Sequence, residues 1–172
     1  NAILKVSNQV KDLLAKGNII ANYSIGDFDS KEFPIPIRLA DLIVQKIRDG
    51  HTTYPMSSGV TELKQAIAKY YSHYLDLEYS PANEILVGSG TRPLMFAMFT
   101  TVIDPGDTVV YGAPSWNTNH YCHISQADER AIATRHEDDF LLTADSLRAH
   151  ISDAVLVVLT SPSNPCGTVY NR

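Results

Sequence analysis

The chain has 172 residues, 44% of them hydrophobic, enough to build the core of a globular domain. A formal net charge of −5, with 19% charged residues, provides neither a basic face for nucleic acid nor a polybasic run for a membrane surface. No apolar stretch approaches the roughly 20 residues a membrane helix needs, and the longest, Ala154 to Leu159, reads as one buried strand.

The first residues, Asn1 to Leu4, show no basic region followed by an apolar one, so no secretory signal is visible. The chain does not begin with Met, which leaves room for a preceding segment. Residues 2 to 16 carry Ile3, Val6, Val10, Leu13 and Leu14 at helical spacing, closed by Gly17. Residues 19 to 25 are β-leaning, and a polar, proline-bearing loop runs from Gly26 to Pro36. A second helix is expected over Ile37 to Arg48, ending at Gly50. The turn-rich segment Tyr54 to Gly59 precedes a third helix, opened by Thr61-Glu62-Leu63, with Leu63, Ile67, Tyr70, Tyr71 and Tyr74 recurring along it.

Thereafter short strands alternate with helices. Strands are expected at Glu84 to Gly88, Thr108 to Tyr111, Arg130 to Thr134 and Ala154 to Leu159. Helices are expected at Pro93 to Ile103, Asn117 to Ser125 and Leu141 to Ile151, the last capped by Thr143. This order predicts an α/β fold, a mainly parallel sheet with helices on both faces. Ligands bind such sheets beyond the carboxyl ends of the strands. Three unusual loops stand there: Ser89-Gly90-Thr91, Pro114-Ser115-Trp116 and Ser161-Pro162-Ser163-Asn164-Pro165.

Each loop has a functional and a structural reading. Ser89-Gly90-Thr91 passes from a strand into a helix, whose free N–H groups and dipole suit an anion, although short glycine turns often serve structure alone. Trp116, the only tryptophan, either stacks on a planar ligand or fills the core. Asn164, held between two prolines, either donates to a ligand oxygen or simply forms the turn. His120 and His123 lack the further ligands a metal needs, so no metal site is expected. Glu137-Asp138-Asp139 reads as a solvated loop. No Gly-x-Ser-x-Gly elbow occurs, and neither Cys122 nor Cys166 has a His partner in sequence, which leaves hydrolase chemistry unsupported. Two distant cysteines point to a reducing, cytoplasmic setting.

Taken in order, the motifs resemble those of the class I/II aminotransferase family, the fold-type I enzymes dependent on pyridoxal 5'-phosphate (PLP). The resemblance runs from about Tyr23 to Tyr170. It rests on Asn22-Tyr23-Ser24-Ile25-Gly26-Asp27, on Thr53-Tyr54 with Gly59 to Lys64, and on Ile85 to Thr91 followed by Asp104 to Val109. It rests further on Pro114-Ser115-Trp116 and on Ser161 to Tyr170, similar to the family's "S-P-x-N-P-T-G-x-x-Y". Cys166 stands where that pattern usually has Thr, and Gly26-Asp27-Phe28-Asp29 departs from the commoner "G-E-P-D-F".

The resemblance implies that the backbone of Ser89, Gly90 and Thr91 binds the PLP phosphate. It implies that Trp116 stacks on the pyridine ring and that Asn164 hydrogen-bonds the phenolic oxygen. Tyr54 corresponds to a tyrosine that reaches the partner subunit's phosphate, which implies a homodimer with shared sites. Gly26 corresponds to part of the substrate carboxylate pocket. The expected organisation is an N-terminal arm and small-domain segment over residues 1–50, then the first, incomplete part of the large PLP-binding domain over 51–172. The expected reaction moves an amino group between an amino acid and a 2-oxo acid. A PLP-dependent carbon–sulfur lyase and a non-catalytic aminotransferase-like sensor are the alternatives. Trp116 resembles the groups that accept aspartate or aromatic substrates. The seven lysines, Lys5, Lys11, Lys16, Lys31, Lys46, Lys64 and Lys69, all precede the phosphate loop, so none matches the family's Schiff-base lysine. The chain is therefore expected to be a piece of a longer enzyme, inactive alone.

Overall fold

A computed structural model describes residues 2–23 and 26–171. The chain forms two compact units, Asn1–Tyr54 and Pro55–Arg172. The first contains helices α1 (Ala2–Ala15) and α2 (Ile37–Arg48). Both stop where glycine takes up the left-handed backbone, Gly17 at φ +81° and Gly50 at φ +82°. The apolar residues of α2, among them Leu42, Ile43 and Ile47, are exposed. Residues 19–23 form no strand, and Ser24 and Ile25 of the β-leaning segment lie outside the described residues.

The second unit contains α3 (Thr61–Leu75), α4 (Thr91–Val102), β1 (Thr108–Ala113), α5 (Thr118–Ser125), β2 (Asp128–Ala133), α6 (Ala144–Arg148) and β3 (Ala154–Val158). The three strands form a parallel sheet in the order β2-β1-β3. The predicted parallel α/β architecture is therefore present. Helices α4 and α5 cover one face, where Phe99, Ile103 and Cys122 pack with Val109 and Tyr111 of β1. Leu142, just before α6, and Leu147 within it cover the other, against Val110, Ile132 and Val157. Val109 and Val110 are completely buried because β1 is the central strand with both faces covered.

The turn from α4 into β1 is held by its own side chains. Asp107 Oδ2 accepts from the Asp104 N–H at 2.8 Å, Gly106 takes φ +91°, and the Gly106 N–H donates to the Gln126 carbonyl at 2.9 Å. The Pro-Gly-Asp sequence thus joins the start of β1 to the approach of β2.

Three expectations need correction. Glu84 to Gly88 is not a strand. A strand requires a ladder partner, and the three described strands pair only among themselves; the segment is held instead by bonds between Glu84 and Ser80 and by the Val87 N–H donated to the Ser58 carbonyl at 3.0 Å. The helix expected over Leu141 to Ile151 shortens to α6. Leu142 is drawn out of helical geometry because it is buried and its N–H donates to the Tyr170 hydroxyl at 3.0 Å. Thr143 then caps α6 as expected, accepting from the Ser146 N–H at 3.1 Å. Finally, β3 is not uniformly buried. Thr108 pairs with Ala154 and Val109 with Leu156, so Val155 is an extra residue in the ladder and is turned out to solvent.

Candidate active site

In the order β2-β1-β3 the chain leaves β1 to one side and returns on the other. The sheet's switch point therefore lies at the carboxyl ends of β1 and β3, where open α/β sheets bind ligands. A small cleft of about 30 Å³ opens there, and Gly112, Pro114, Ser115, Ser163, Asn164 and Tyr170 are among the residues that line it. Two of the three loops singled out in the sequence meet in it.

The first loop leaves β1 at Ala113. Its carbonyl accepts twice from Thr134, from the N–H at 3.0 Å and from Oγ1 at 2.8 Å. Ser115 Oγ then pairs with Thr118 Oγ1 at 2.8 Å, and Asn117 takes φ +67°, turning the chain into α5. Trp116 projects between these anchors with 47% of its surface exposed, so it fills no core. Gly112 sits close beneath the loop: a Cβ there would stand 3.2 Å from both Leu142 Cγ and Thr134 Cγ2, so those side chains would have to give way slightly.

The second loop folds back on itself. The Ser163 N–H donates to the Thr168 carbonyl at 2.8 Å and the Gly167 N–H to the Ser163 carbonyl at 2.7 Å, with Gly167 at φ +76°. Tyr170 closes it, its N–H donating to Ser161 Oγ at 3.2 Å and its hydroxyl accepting from Leu142. Asn164 sits at the tip, exposed and facing the cleft, with no hydrogen bond from its carboxamide to another described residue.

The third loop, Ser89-Gly90-Thr91, opens α4. Helix α4 ends where the turn into β1 begins and lies along β1 through Met95 and Phe99. Its 12 residues span about 18 Å, which carries its first turn towards β1's carboxyl end. No side chain caps that turn. Gly90 takes φ +101° and ψ 162°, a conformation essentially reserved for glycine, and no heavy atom lies within 4 Å of where its Cβ would be. The Gly90 N–H turns back to the Gly88 carbonyl at 2.9 Å, and the N–H groups of the first turn of α4 have no side-chain cap.

Tyr54 and Gly26 belong to the first unit. Tyr54 is fully exposed, and Gly26 is exposed with open space around its Cα. The described residues contain no metal-binding group of three or more His, Cys, Asp or Glu, and no helix is long and apolar enough to cross a membrane. Burial, reinforced by the Glu129 charge, pushes the Cys122 thiol up to about 11, which keeps it protonated and unreactive. Burial also raises Tyr111, whose hydroxyl donates to Glu129. The sequence did not single out Thr134 or Leu142, which shape the cleft from the β2 side; only contacts distant in sequence reveal them.

The aminotransferase class I and II family model matches residues 19–172. This chain belongs to that family. It is 34% identical over 170 residues to the aspartate/prephenate aminotransferase of Nitrosomonas europaea, covering 98% of this chain and 42% of that protein. It is 31% identical to the asparagine–oxo-acid transaminase of Streptococcus mutans, covering 98% of this chain and 43% of that one. The crystal structure of the aspartate aminotransferase of Rhizobium meliloti superposes with a TM-score of 0.86 at 31% identity, over 98% of this chain and 42% of its own. The chain therefore spans about two fifths of its relatives' length and corresponds to their N-terminal part.

Proposed function

We propose that this chain supplies the phosphate-facing and ring-facing loops of a PLP-dependent aminotransferase, which moves an amino group between an amino acid and a 2-oxo acid. The observation that carries the reading is the meeting of Ser115 and Asn164 in one cleft at the sheet's switch point, with the uncapped start of α4 directed to the same end. The arrangement fits the cofactor chemically. A phosphate needs N–H donors and close backbone approach, which the α4 start and Gly90 offer, and a planar ring needs a flat exposed face, which Trp116 offers.

When bound, PLP provides the electron sink for amino-group exchange. The chain's residues bind and orient. The N–H groups and hydroxyls of Ser89, Gly90 and Thr91 hold the phosphate, Trp116 stacks on the ring, and the Asn164 amide donates to the phenolic oxygen. Tyr54 reaches the phosphate bound by the second subunit of a homodimer, and Gly26 lines the substrate carboxylate pocket. The chain's seven lysines all precede the phosphate loop, and none of them is proposed as the covalent link to the cofactor. Residues 1–50 act as the arm and small-domain segment and 51–172 as the start of the large domain, in a cytoplasmic enzyme. Relatives named for aspartate, asparagine and prephenate favour a transferase over a lyase or a sensor.

The test is the visible absorbance of the purified full-length protein, before and after borohydride and candidate amino acids. A band that shifts with an amino acid, with transfer of the amino group to a 2-oxo acid, is the expected result. Ammonia and pyruvate as products would replace the transferase with a lyase, and a protein that stays colourless with added PLP would overturn the reading.

A further inference from the structure

Lys64 lies in the first turn of α3 and is 4% exposed. The ion pairs among the described residues are Arg130–Asp153 and Arg148–Asp145, so no described carboxylate meets the Lys64 ammonium. Its partner is a hydroxyl: Nζ donates to Ser58 Oγ at 3.0 Å. A buried ammonium is costly to desolvate, and an apolar side chain of similar length would fill the space without that cost. What the lysine adds is a fixed donor to one serine.

The Ser58 carbonyl accepts the Val87 N–H at 3.0 Å, the hydrogen bond that anchors the segment Ile85–Gly88 in place of a strand ladder. The neighbouring Gly59 takes φ +105° and presses on the same residue, since a Cβ there would stand 2.7 Å from Val87 Cβ. On the far side, Gly88 packs so closely on α4 that a Cβ would stand 2.6 Å from Leu94 Cδ2. A chain of contacts thus runs from Lys64 through Ser58 and Val87 to Gly88, and Gly88 leads directly into Ser89-Gly90-Thr91.

We propose that Lys64 is a positioning residue for the cofactor's phosphate: through Ser58 and Val87 it fixes the backbone that enters the Ser89–Thr91 cradle. The inference rests on reading that cradle as the PLP phosphate site. Lys64 acts on the phosphate end alone, because the brace ends at the cradle and does not include Trp116 or Asn164.

This separates the phosphate from the ring, and a pair of ligands reads the difference. The full-length apoprotein is titrated with PLP and with pyridoxal, which has the same ring and no phosphate, following absorbance. In Lys64→Met the ratio of PLP to pyridoxal affinity falls about tenfold, the worth of one hydrogen bond to a charged group, while pyridoxal binding is little changed. Lys64→Arg keeps most of the ratio. Ser58→Ala lowers it in the same direction, and decides the matter if Lys64→Met does not fold. An unchanged ratio, or equal losses for both ligands, overturns the positioning role while leaving the PLP site intact. A wild-type protein that does not prefer PLP to pyridoxal overturns both.

Discussion

At the amino end of the three-stranded sheet, polar groups satisfy one another; at the carboxyl end, they are held open. Arg130 forms two hydrogen bonds to Asp153, at 2.6 and 2.9 Å, and a third to the His150 carbonyl at 2.6 Å, while Thr108 Oγ1 donates to Asp153 at 3.4 Å. These bonds join the starts of all three strands. At the opposite end, the Asn164 carboxamide has no hydrogen bond to another described residue, no side chain caps the α4 start, and Trp116 stands exposed. Groups consumed in folding cannot meet a ligand. The contrast assigns stability to one end and recognition to the other, and it makes substitutions at the two ends fail differently.

The sharpest separation is expected at Gly90. Valine there must take a backbone conformation that costs about 1–3 kcal/mol. With no heavy atom within 4 Å of the new Cβ, the loop relaxes rather than straining the core. Gly90→Val in the full-length protein should lower PLP affinity about tenfold to a hundredfold with little change in melting temperature. A melting temperature that falls in step with affinity would show the carboxyl end to be as much a part of the fold as the amino end.

A smaller effect is expected at Asn164. Its carboxamide makes no hydrogen bond to another described residue, so on the proposed role Asn164→Ala removes only a bond to the cofactor, worth about 1 kcal/mol or roughly fivefold in affinity. The position of the visible band should move, as the loss of the proposed donor to the phenolic oxygen requires. A band and affinity identical to wild type would remove Asn164 from the site.

The same contrast explains what the sequence disclosed. Helix ends at Gly17 and Gly50, the Thr143 cap and the Pro-Gly-Asp turn are local devices, and local chemistry is legible residue by residue. The carboxyl-end loops were legible too, because glycine, proline and a lone tryptophan stand out where strands end. Contacts between distant segments were not. Whether Glu84–Gly88 forms a strand depends on a partner elsewhere, and α6 is shortened by Tyr170, 28 residues beyond Leu142. The bulge at Val155 arises from register between strands, and although Lys64 closes the Gly59–Lys64 motif, its burial against Ser58 shows only once the fold brings the two together. The roles within the site were drawn from motif resemblance rather than from spacing, which fixed only where the loops would stand.

The smallest effect belongs to the amino end and is read through pH. The hydrogen bonds from Arg130, with its charge, hold the Asp153 carboxyl at about 2, below its ordinary 3.8. A carboxyl lowered in the folded state binds its proton less tightly there than in the unfolded chain. Its stabilisation is therefore complete above the unfolded value and is lost as pH falls from about 4 towards 2. Asp153→Asn removes the charge at every pH. The melting temperature of wild type should exceed that of Asp153→Asn by a constant small margin from pH 7 to 5, and the margin should close below about pH 4. Because the Arg130 and Asp153 side chains are 34% and 59% exposed, added salt should narrow it as well. PLP affinity, measured at neutral pH, should not differ between the two proteins. A loss of affinity in Asp153→Asn would mean that the amino end transmits strain along β1 to the cleft, and the division between the two ends would fall.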